Sequence, residues 1–68
     1  MIFVEWHLAS SGDACIIRVD HISEVTARYV EADKDFQARL YMSNGTTIDI
    51  CEFYRTVWTF LRNVMEGG

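Results

Sequence analysis

Proline is missing from this chain, lysine occurs once (Lys34), and glycine is found only at 12, 45, 67 and 68. The missing proline excludes nothing by itself. Isolated glycines exclude a phosphate-cradling loop, where closely spaced glycines let the backbone N–H groups approach the anion. Cations are equally sparse: six basic residues face ten acidic ones, for a net charge of −4. Arg18, Arg28, Lys34, Arg39, Arg55 and Arg62 are scattered along the chain. Nonspecific binding of DNA or RNA needs a cluster that displaces phosphate counterions, so direct nucleic-acid binding is not expected. An acidic surface suits a basic protein groove instead, including one that normally holds nucleic acid.

Cysteine is also scarce. Cys15 and Cys51 lie far apart in sequence, and adding His7 and His21 yields no zinc-ligand spacing. They read as two reduced thiols acting as small apolar residues. No metal or cofactor is expected. No apolar run reaches the ~18 residues of a membrane span. The segment Ile2-Phe3-Val4-Glu5-Trp6 follows Met1 with no basic leader region, which points to the cytoplasm. Asn44-Gly45-Thr46 matches a glycosylation sequon but reads as a turn in that setting.

What the chain does have is apolar and aromatic mass. Half of its 68 residues are hydrophobic, with four Phe, three Tyr and two Trp. That is too rich for disorder, yet short enough for one domain only, residues 1–68. A domain of this size buries only about 60% of its unfolded surface, and association is a common supplement to so small a core.

Alternation sets out the strands. Ile2, Val4, Trp6 and Leu8 share one face, and Phe3, Glu5 and His7 the other. Ser10-Ser11-Gly12-Asp13 turns the chain into a second strand at 14–19, with Cys15, Ile17 and Val19 inward. Asp20-His21-Ile22-Ser23 bends it before a third strand at 24–31, with Val25, Ala27 and Tyr29 inward. A polar reversal leads to a fourth at 36–42, with Phe36, Ala38, Leu40 and Met42 inward. Asn44-Gly45 predicts a type I′ hairpin turn, since both residues tolerate positive φ. A fifth strand at 46–50 turns Ile48 and Ile50 inward. A helix is predicted from Cys51 or Glu52 until Gly67-Gly68 stop it. The fold class is therefore α+β: an antiparallel meander of four to five strands with one C-terminal helix packed on one face. The opposite face, with Phe3, Glu5, His7, Arg18, Arg28, Gln37, Arg39, Tyr41, Thr47 and Asp49, is mixed and mostly polar. It reads as solvated first and as a binding surface second.

The helix carries more apolar surface than one small sheet needs. Phe53, Val57, Phe60, Leu61 and Val64 make a stripe, and Tyr54, Trp58 and Met65 widen it to an arc of roughly 160°. Those three residues are the candidate anchor for a dimer or a partner, because aromatic residues and methionine are enriched at interface cores. The alternative is that a curved sheet wraps the helix and buries them in the monomer. Glu31, Asp33 and Asp35 crowd one reversal beside Lys34. They read as a solvated turn or, functionally, as acidic docking groups for a basic pocket. His7 and His21 have no adjacent nucleophile or orienting carboxylate in sequence, and a small meander offers little volume for a pocket. The chain does not read as an enzyme.

The stretch Asn44-Gly45-Thr46-Thr47-Ile48-Asp49-Ile50-Cys51-Glu52, followed by Val57 and Leu61, resembles the flagellar FlbD-like proteins. An upstream counterpart of Val19-Asp20-His21-Ile22-Ser23-Glu24-Val25 adds to the likeness. It implies a hairpin–strand–helix order and a flagellar or regulatory accessory role. The chain departs from that pattern with Phe53, Tyr54, Trp58 and Phe60, where charged and aliphatic residues are expected. By type alone, in size, acidity and absence of a catalytic signature, the chain is similar to phage-encoded inhibitors such as anti-CRISPR proteins. Together these features lead to a non-enzymatic protein-binding module, a homodimer. It would act as a phage-type inhibitor that occludes a basic, nucleic-acid-handling complex of the host.

Overall fold

The computed structural model describes residues 2–67. Five strands and one helix follow in order: β1 (Phe3–His7), β2 (Ala14–Arg18), β3 (Ile22–Val30), β4 (Asp35–Met42), β5 (Thr47–Phe53) and α1 (Tyr54–Gly67). A short 3-10 turn, Val19–His21, makes the corner between β2 and β3. The fold is α+β and antiparallel, with its single helix packed against the sheet. The expected Gly67-Gly68 stop falls at the end of the described chain, with Gly68 outside it.

Connectivity differs from a simple meander at one point. β2 does not pair with β3; instead β1–β2 form one sheet and β3–β4–β5 another. The two sheets meet where β1 approaches β5, through a bridge between Leu8 and Ile50. Ala9 N–H donates to the Asp49 carbonyl at 2.9 Å beside it. A register shift in β5 makes this possible. Arg39 pairs with Asp49 and Gln37 with Phe53, so β5 carries extra residues over that interval. Such irregularities bend a strand, and here β5 bends toward β1.

The helix starts later than its apolar stripe implies. Cys51, Glu52 and Phe53 continue β5, and α1 opens at Tyr54. Phe53 stands three residues from Ile50, a helical interval, and two from Cys51, a strand interval, and its pairing with Gln37 decides for the strand. Phe53 thus leaves the helical stripe. Val57, Phe60, Leu61 and Val64 remain on it and face the core.

That core is built on fully buried Leu40, Ile50 and Val57, with Ala38, Trp6, Ile17, Val19 and Leu61 around them. Trp6 meets Phe60 edge-to-face, with ring centroids 5.7 Å apart, and ties the first hairpin to the helix. Ala27, Tyr29 and Phe36 lie on the face expected to be inward but are exposed. The reason is length. β3 has nine residues, about 30 Å, whereas the 14-residue helix spans about 21 Å. The β3–β4 hairpin outruns its cover, and Tyr29 and Phe36 pack on each other at 5.3 Å instead.

The Asn44-Gly45 turn is also of another type. Gly45 has φ +92° while Asn44 is not in the positive-φ region, so the turn is not type I′. Gly45 N–H donates to the Met42 carbonyl and Met42 N–H to the Thr46 carbonyl, closing a three-residue loop. This is a type I turn followed by one left-handed glycine. Asn44 Oδ1 accepts from both the backbone N–H and the hydroxyl of Thr46, which holds Asn44 in place.

Candidate functional site

The Tyr54–Trp58–Met65 flank of α1 projects over the β3 side of the sheet and is not wrapped by it. Trp58 is 48% exposed and Met65 73% exposed, while Tyr54 is half-buried. Together with Val25 and Leu61 they line a surface groove of about 490 Å³, bounded by Arg62 and Glu66. The Arg62 guanidinium lies 5.1 Å from the centre of the Trp58 ring, a cation–π contact that holds the indole against the helix. Arg62 Nε is in turn 3.4 Å from Glu66, one turn on.

Tyr54 joins this groove to a second one, of about 250 Å³, lined by Ala27, Phe36, Asp35 and Arg55. The apolar surface therefore extends from the uncovered end of the β3–β4 hairpin to Met65. Beside it runs β3, an edge strand: no described strand pairs with its outer side. The sequence pattern singles out Tyr54, Trp58 and Met65 but not Val25, Ala27, Phe36 or the open edge. Strand alternation places those residues inward, and only the mismatch between hairpin and helix lengths reveals them.

The acidic reversal is partly occupied. Asp35 Oδ2 accepts from Arg55 at 3.2 Å, and its Oδ1 accepts from the Phe36 N–H. Asp33 accepts from the Gln37 amide at 2.9 Å. Glu31 is exposed. Lys34 completes the turn with φ +51°, a left-handed conformation that is strained for a residue with a Cβ.

The opposite face of the three-stranded sheet carries an ionic cluster. Arg39 donates from Nε and Nη2 to the two oxygens of Asp49, at 2.7 and 3.3 Å. Arg28 Nη2 donates to Gln37, while its Nε has no hydrogen-bond acceptor and lies 3.7 Å from Asp49. Hydrogen bonding from Arg39 holds the Asp49 carboxyl below the usual carboxylate range.

The remaining chemistry-bearing groups are spread through the fold. His7 Nδ1 and Glu52 form a 2.8 Å pair that raises the pKa of the imidazole. Cys51 donates to the Leu8 carbonyl. Burial pushes the half-buried Cys15 thiol up, away from the reactive thiolate. His21 lies at the 3-10 corner, where its carbonyl accepts from Ser43. Among the described residues no three His, Cys, Asp or Glu side chains gather as a metal site, and no helix is long and apolar enough to cross a membrane. Comparison with known protein families, curated proteins and solved structures finds no match to this chain.

Proposed function

We propose that this chain is a non-enzymatic protein-binding module that acts by contact, with the Trp58 flank and the open β3 edge as its docking surface. One observation carries the reading. A tryptophan and a methionine stand exposed beside the open outer edge of β3, in a domain too small to leave such area idle. Aromatic residues and methionine are enriched at interface cores, tryptophan is a frequent energetic anchor there, and a free strand edge offers main-chain hydrogen bonds.

The described histidines and cysteines stand outside both grooves, which leaves the surface to act by contact. His7 and Glu52 pair with each other and line neither groove. The charge balance supports a basic partner for the acidic remainder of the surface. In its finer form, the module is a phage-type inhibitor in the bacterial cytoplasm that occludes a nucleic-acid-handling complex.

The test is a differential capture with the wild type and two surface variants, Trp58→Ala and Met65→Glu, each confirmed as folded by circular dichroism. A protein recovered by the wild type and lost with both variants supports the proposal; a basic, nucleic-acid-handling complex supports its finer form. Recovery that is indifferent to both substitutions, by a chain that also stays monomeric, overturns the docking surface.

A further inference from the structure

We propose that the partner filling the Trp58 groove is a second copy of this chain, paired antiparallel through β3 about a two-fold axis at Thr26. This inference rests on the docking surface described above and names its occupant.

The order of residues along β3 is self-complementary. In antiparallel pairing about Thr26, Glu24 of one copy lies directly opposite Arg28 of the other, and the symmetry makes this contact twice. Both residues stand on the polar face with Thr26, because side chains alternate along the strand. Glu24 is exposed and has no ionic partner among the described residues. Arg28 donates from Nη2 to Gln37 and its buried Nε lies 3.7 Å from Asp49, so the rest of the guanidinium is the part that meets Glu24 of the mate. Opposite charges directly across a strand pair are favourable, and like charges are unfavourable. Shifting the axis to Glu24 or Arg28 sets like charges against each other, and shifting it to Ala27 forms no ionic pair. Charge selects Thr26.

On the other face the same axis sets Val25 of each copy against Ala27 of its mate, on the side of the sheet that carries the helices. Each helix packs over β4, with β3 and β5 on either side. Two β4 strands separated by a pair of β3 strands are three strand spacings apart, or about 14 Å. Helices in direct contact pack 8–10 Å apart, so a gap of about 5 Å is left between the two α1 helices. One large side chain from each copy closes a gap of that width, and Trp58 is the large side chain that projects from this flank. The result is a continuous six-stranded sheet with two helices on one face, and no free β3 edge.

Sedimentation equilibrium of the intact chain tests the proposal. A reversible dimer of the 7.9 kDa chain is expected. Glu24→Arg and Arg28→Glu each place like charges across both contacts and should weaken self-association roughly ten-fold or more. An equimolar mixture of the two variants restores every opposite-charge contact, so a heterodimer of wild-type affinity is expected. Should Arg28→Glu fail to fold, Thr26→Cys provides a second measurement. Mild oxidation should link two copies, with the disulfide mapped to position 26 on both, since directly paired residues lie within bonding distance.

A wild type that stays monomeric at several hundred micromolar overturns the inference, as does a linkage that does not join position 26 to itself. A mixture that does not re-associate also overturns it. These failures are distinguishable from failure of the docking surface. A monomer whose foreign partner is lost with Trp58→Ala keeps the surface and refutes only the second copy.

Discussion

His7 and Glu52 join β1 to β5 by two hydrogen bonds at the place where the strands part. The His7 backbone N–H donates to Glu52 Oε1 at 2.9 Å, and its ring Nδ1 lies 2.8 Å from Oε2. Among the described residues, the main-chain bridge between the two sheets is the Leu8–Ile50 contact and its neighbour at Ala9. A side chain therefore takes over from the backbone ladder at the junction.

This contact makes a pH signature. The His7 pKa is raised by its hydrogen bond to Glu52, so the associated stability is full below the ordinary histidine range and is lost as pH rises through the folded value. NMR titration of the two histidines should show His7 above the ordinary value. Glu52→Gln should return it there. Identical His7 curves in the two proteins would disprove the pairing.

Arg39 and Asp49 act at the other end of the scale. The Asp49 pKa is depressed, so its contribution is present above the ordinary carboxylate range and lost as pH falls through the folded value. Both side chains are more than one-third exposed, so solvent screening keeps the gain small. Urea denaturation across the acid range should show a shallower loss of stability for Asp49→Asn than for the wild type.

The two tryptophans should answer differently to the same substitution. Trp6 is 5% exposed and packs on Phe60, so Trp6→Ala should cost about 3–5 kcal/mol, enough to unfold a domain of this size. Trp58→Ala removes a half-exposed ring and should cost under ~1 kcal/mol in the monomer. Chemical denaturation measures both. A large loss at 58 under dissociating conditions would place that ring in the monomer core.

The β4–β5 loop supports a prediction at two adjacent residues. Gly45→Ala forces a Cβ into φ +92° and should destabilise by about 1 kcal/mol or more. Asn44→Ala loses the two acceptor bonds from Thr46 and should cost about 1 kcal/mol. Asn44→Gly brings no benefit from positive φ, because Asn44 is not in that region. Thermal melts of the three variants check the order.

Local patterns were legible in the residues, and long-range ones were not. Val57, Phe60, Leu61 and Val64 recur at helical spacing and do face the core, and the alternation from Val4 to Ile50 marks five strands. The neighbour of β1 was illegible, because the Leu8–Ile50 bridge joins residues with nearly the whole chain between them. The onset of α1 was ambiguous for a different reason: Cys51–Phe53 fit either period, and only pairing with Gln37 resolves them. At the docking surface, the helical flank was visible as surplus apolar arc. Its companion, the bare side of β3, depends on which strand ends up outermost, and alternation carries no information about that.

Strand β5 passes into α1 with no residue between Phe53 and Tyr54. A helix attached in this way has no hinge on which to swing, so the orientation of its outer wall is fixed once the sheet closes. Whatever settles there meets a preformed mould rather than a moving arm, and the entropy of ordering the site has been spent before the encounter. Inserting a flexible Gly-Ser pair at that seam would leave every contacting atom in the chain, yet would loosen the grip.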